Sequence, residues 1–190
     1  MTATKLCKPS DRNISVITPS QRNLLIRTAL HVITEKIPPL DMRFYVRDKN
    51  QCSLSPYEVL NGVNECGASC CMMGIAAFIS AKENPFNDTE GEEFPLWKTS
   101  DWSGFGKEAL GCCNNYEKNG EFMFSGNWTN DRKQAAIRVL LWLRGQDIHK
   151  DNLHRGPRQN EGEWFFTDRF LTSYSTEKIR AGLKSFLVEE

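Results

Sequence analysis

The chain has 190 residues, 39% hydrophobic and 25% charged, with 24 basic and 24 acidic side chains in balance. That length suits one domain that buries its own core, and eleven Phe with five Trp supply large side chains for it, which excludes global disorder. Zero net charge argues against a surface that tracks nucleic-acid phosphates, and the longest uncharged apolar stretch, 70 to 80, is about half the ~20 residues of a membrane-spanning helix.

The N-terminal sequence MTATKLCKPSDRN carries no apolar segment after its lysines, unlike a secretory signal, so a cytoplasmic protein is expected. Residues 1 to 17 are polar and unpatterned and read as a flexible arm. Thr18-Pro19-Ser20-Gln21 fits a capping box with proline at the first helical position, and Leu25, Ala29, Val32 and Ile33 follow at helical spacing. A helix from 19 to about 36 is predicted, ended by Pro38-Pro39. Asp41 to Val46 reads as a turn or short extended piece against the core, and Ser55-Pro56-Tyr57-Glu58 as the cap of one more helical turn.

Next comes Asn64 to Phe78, NECGASCCMMGIAAF, read as part of a buried helix from about 67 to 82. On it Gly67, Cys71, Gly74 and Phe78 form a strip of small residues ending in a ring. Glycine costs up to about 1 kcal/mol inside a helix, so Gly74 predicts a tight helix crossing. A polar, acidic, proline-broken loop from Glu83 to Pro95 leads to a weak helix over about 101 to 111. Glu121 to Phe124 is left open between helix and strand. Thr129-Asn130-Asp131 caps the clearest helix, with Ala136, Leu140 and Leu143 on one face, Arg138 and Arg144 available to solvent, and Gly145 at its end. After a polar connection, 146 to 163, and the aromatics Trp164, Phe165, Phe166 and Phe170, a last helix runs from about Thr176 to Val188, capped by Ser175 and carrying Ile179, Leu183 and Leu187. The expected fold is mainly α: a compact helical domain over 18 to 145 with short irregular or strand segments, and an extension, 146 to 190, that packs on it through an extra helix.

Charge is uneven along the chain. Nine Lys/Arg against four Asp/Glu in residues 1 to 49 give +5, four against eleven in 50 to 129 give −7, and eleven against nine in 130 to 190 give +2. Most of this reads as solvated surface, with Glu90, Glu92, Glu93 and Trp97 in the acidic middle, and Arg155 and Arg158 beyond it, as candidates for contact with a partner. His154, Arg155 and Arg158 before Trp164 to Phe166 interleave base and ring as stacking sites do, but Glu161 and Glu163 intervene, and nucleic acid is disfavoured.

The seven cysteines, at 7, 52, 66, 70, 71, 112 and 113, lack Cys-x2-Cys spacing, and a reducing compartment favours thiols over disulfides. Zinc or an iron–sulfur cluster on Cys66, Cys70, Cys112 and Cys113 is therefore not favoured, no metal or cofactor is expected, and the Asn-x-Ser/Thr matches at Asn13, Asn87 and Asn127 carry no meaning. A thiol at a helix N-terminus can ionise and attack a carbonyl if a histidine serves as base, which would set Cys66 or Cys70 against His149 or His154. Glu65-Cys66-Gly67-Ala68-Ser69-Cys70 resembles the cysteine motif of papain-like peptidases that trim bacteriocin leaders. It departs from them in having no glutamine shortly before Cys66 and no Asp-Pro after either histidine. The other reading is packing, since buried cysteine behaves as a small hydrophobe.

A second likeness runs from Leu24 to Gly145, through Leu40-Asp41-Met42, Cys66-Gly67-Ala68-Ser69-Cys70-Cys71, Gly74-Ile75-Ala76, Leu110-Gly111, Met123-Phe124 and Ala136-Ile137-Arg138-Val139. In order and spacing it resembles a loose group of small uncharacterised proteins from bacteria and their phages. Ile75 in place of Trp and the acidic insertion near Glu90 are departures, and the last 45 residues lie outside the likeness. The resemblance implies that the Cys-Gly segment starts a tightly packed central helix, and it supplies no activity. The reading carried forward is a non-enzymatic phage or bacterial protein that binds a host or phage protein and modulates a host process or defence system, residing in the host cytoplasm if phage-encoded. The competing reading is the cysteine hydrolase.

Overall fold

The computed structural model describes residues 17–34, 40–41, 45–48, 50, 52–60, 69–83, 102–111, 131–146, 153–155 and 164–188. Among them the fold is mainly α, and the order of elements begins with helix α1, Pro19–Thr34. The capping box that starts α1 is formed: Gln21 N donates to Thr18 Oγ1 at 3.2 Å and Thr18 N to Gln21 Oε1 at 2.9 Å. From there α1 is covered on several sides, packing against α3 (Met72–Glu83) and α5 (Arg132–Leu143), and also against α4 (Trp102–Leu110) and α7 (Thr176–Lys184). Leu25, Ile26, Ala29 and Val32 are accordingly sealed from solvent, and the buried Thr28 hydroxyl is satisfied by donating to Leu24 O at 2.8 Å. The hub of the core is thus the first helix.

Among the described residues, two small antiparallel sheets accompany the helices. Strand β1, Val46–Arg47, pairs with β2, Ser69–Cys70, with Val46 opposite Cys70. The chain beyond β1 turns on Asp48, whose carboxylate accepts from Asn50 N at 2.9 Å and Cys52 N at 2.7 Å. It then enters α2, Pro56–Leu60, through the second capping box: Glu58 N donates to Ser55 Oγ, while Ser55 N donates to Glu58 Oε2 at 2.7 Å. Those bonds from Ser55 hold the exposed Glu58 carboxyl below its ordinary pKa.

The helix expected over 67 to 82 starts later, at Met72. Its place at 69 to 71 is taken by extended chain, because the backbone there bonds sideways: Asp41 N donates to Cys70 O at 2.8 Å and Cys71 N to Tyr45 O at 3.1 Å. The first helical bond of α3 is Ile75 N to Cys71 O at 3.0 Å, which makes Cys71 the cap residue. Cys71 through Phe78 are all buried, in keeping with a helix that has no polar face there.

Helix α4 ends at Gly111, whose φ of 65° favours glycine. At its start the Trp102 indole stacks on Tyr45, with centroids 5.4 Å apart, and donates Nε1–H to Leu54 O at 3.0 Å, tying α4 to the β1 turn. Asp131 caps α5 by accepting from Gln134 N at 2.8 Å. Its C-terminus is a complete Schellman motif: Gly145, at φ 63°, donates to Trp142 O, and Gln146 N donates to Leu141 O, each at 2.9 Å.

Every residue from Gln134 to Leu143 is buried, and this corrects one expectation. Arg138, read as available to solvent, has zero exposure, whereas Arg144 is exposed. An amphipathic reading allots one face of a helix to water, but α5 packs against α1 and α7, and β4 reaches it through Phe166, leaving no residue from Gln134 to Leu143 exposed. That sheet pairs β3, Leu153–Arg155, with β4, Trp164–Phe166, so a strand lies within the stretch read as a polar connection. Phe166 N donates to Gln134 Oε1 at 2.7 Å in the interior, fixing β4 to α5. A single turn, α6, Asp168–Leu171, follows, and Phe170 stacks on Phe166. Ser175 caps α7, which buries Ile179 and Leu183 but ends at Lys184, leaving Leu187 beyond the helix and 43% exposed.

Candidate functional site

The chemistry proposed from the sequence centres on the head of α3. Cys70 lies in β2 with zero exposure, next to Cys71 at 1%. The position of Cys71 would suit an activated thiol, since it caps a helix and hydrogen bonds from the backbone N–H of Met73 and Gly74 favour the thiolate. Burial is the larger effect and runs the other way: desolvation pushes the Cys71 thiol up to about 11, with the nearby Asp41 charge adding to the rise. The cap sulfur therefore stays protonated at neutral pH and satisfies two orphan amides as a neutral acceptor.

What closes this corner is Gly74. A Cβ there would fall on the Tyr45 carbonyl oxygen and lie 2.6 Å from Val46 Cγ2 and 2.7 Å from Cys70 Cβ. The close approach foreseen for Gly74 is thus real, but its partner is the backbone leading into β1, not a second helix. Phe78, one turn further along, is buried at 4%. Gly67, the first member of the expected strip, lies outside the described residues.

Arg132 borders the same corner. Its Nη1 donates to Val32 O at 3.1 Å, capping the last turn of α1. Burial lowers its pKa, with the neighbouring Cys70 opposing the fall. Nothing in the sequence singled out Arg132, because its role depends on where α1 ends in space.

Of the other candidates, Cys66, His149, Glu90, Glu92, Glu93, Trp97 and Arg158 lie outside the described residues, as do Cys112 and Cys113. His154 and Arg155 are in β3, opposite Phe165 and Trp164. Cys70 and His154 are therefore carried by two different sheets. Among the described residues, no three His, Cys, Asp or Glu side chains gather as metal ligands, and no helix is long and apolar enough to cross a membrane.

Sequence reasoning also missed Arg138. Burial pushes its guanidinium down to about 9, with the Asp131 charge opposing the fall. A signal was present in its setting, as the one charged residue within Ala135 to Leu143, AAIRVLLWL. Gln134, Arg138 and Trp142 recur every four residues and so form a buried polar stripe along one face of α5.

Comparisons with protein-family models, with curated proteins and with solved structures find no match to this chain.

Proposed function

We propose that this chain is an accessory protein of phage or bacterial origin that works by binding a macromolecular partner, a host or phage protein, and so modulates a host process or defence system. The observation that carries the non-catalytic side of this reading is the sealed pair at the head of α3: Cys70 and Cys71 are buried, and the Cys71 thiol is held protonated. A thiolate nucleophile needs an accessible, partly hydrated sulfur, and burial denies both positions that, although Arg132 neighbours Cys70 and Cys71 caps a helix. The phage or bacterial setting rests on the resemblance in order and spacing between Leu24 and Gly145.

The test begins with iodoacetamide labelling of the native, reduced chain at neutral pH, read cysteine by cysteine by mass spectrometry. Cys52 is exposed and serves as the internal standard. Cys70 and Cys71 are expected to label on the order of 100-fold more slowly than Cys52 until the protein is unfolded, since a buried thiol reacts only through opening, and Cys66 no faster than Cys52. Rapid labelling of Cys66 or Cys70 would instead favour the hydrolase. The binding side is tested by purifying a tagged full chain from a bacterial host, identifying what is retained, and reconstituting the complex from pure components. A one-site complex that survives Cys66→Ser and Cys70→Ser supports the proposal. No reconstituted complex, or an effect abolished by either change in a protein that remains folded, overturns it.

A further inference from the structure

We draw no further inference here: the strongest candidate, the buried polar stripe of Gln134, Arg138 and Trp142 along α5, belongs to the packing of that helix against β4 and its neighbours, and nothing among the described residues shows a ligand that it would take.

Discussion

At Gly74 two effects of opposite sign compete, and their sizes decide the outcome. Replacing glycine by alanine inside a helix ordinarily stabilises by about 1 kcal/mol. Here the new methyl group would land on the Tyr45 carbonyl, which β1 holds in place, and overpacking of that kind costs about 1 to 3 kcal/mol or more. Gly74→Ala should therefore lower the denaturant midpoint, whereas Gly182→Ala, which meets only the ends of the Leu140 and Arg144 side chains at 3.0 to 3.2 Å, should stay within about 1 kcal/mol of the parent. Equal effects at the two sites would show that α3 does not lie against β1. Cys71 gives a second prediction, in pH. Its folded pKa of about 11 lies above the ordinary 9.0, so its contribution to stability is intact below pH 9 and is lost as pH rises toward 11. Arg138 acts oppositely, since burial depresses its folded pKa and the penalty on its charged form eases as pH rises. The two slopes offset each other in the parent, so the thiol must be isolated by difference. Cys71→Ala should lose a constant amount for the cap and cavity at pH 7, and that deficit should shrink by on the order of 2 kcal/mol by pH 11. A deficit independent of pH in urea titrations would mean that the sulfur is hydrated.

Elements were legible in the sequence where their determinants are local. The capping boxes Thr18–Gln21 and Ser55–Glu58, the caps Asp131 and Ser175 and the stop at Gly145 each involve residues within four positions of one another, and each forms. The start of α3 was misplaced because Ser69 to Cys71 pair with backbone 22 to 29 residues away, at Asp41, Tyr45, Val46 and Arg47, and no local pattern records that pairing. The same limit hid β3, and it made Arg138 look like a surface residue when its apolar neighbours pointed inward. At the candidate site, the cysteines and the constrained glycine were visible, but their protonation and the identity of Gly74's neighbour depend on the fold. A link of the longest range joins the two ends of the described chain: Asn23 Nδ2 donates to Val188 O at 2.8 Å, and Val188 N donates to Asn23 Oδ1 at 3.0 Å. Asn23 is buried but Val188 only partly so, and Asn23→Ala removes both bonds and should cost about 1 kcal/mol, with faster amide exchange concentrated after Lys184. Asn23→Asp should do no better, because it keeps the acceptor for Val188 N but sets a carboxylate against Val188 O. Unchanged exchange in that segment for both variants would remove the clamp from the account.

For the molecule as a whole, the sequence suggested a core domain ending near Gly145 with an extension laid upon it. Among the described residues, β4 and α7 of that extension share the buried cluster with α5. Phe166, Ile179 and Leu183 each have zero exposure, Phe166 N is bound by Gln134, and the Lys133 ammonium donates to Leu171 O at 3.2 Å. With α7 and β4 removed, α5 would turn a buried face toward water, and the lost burial of those three side chains alone amounts to about 5 to 9 kcal/mol. Net stabilities of whole domains are only about 5 to 15 kcal/mol, so the remainder has little margin. A chain cut after Gly145 is accordingly expected to retain helical circular dichroism but to lose its cooperative thermal transition and to bind a hydrophobic dye such as ANS. Were it instead to melt cooperatively within about 5 °C of the full chain, residues 18 to 145 would be a self-sufficient domain, and the burial of α5 beneath the C-terminal elements would contribute far less than its area implies.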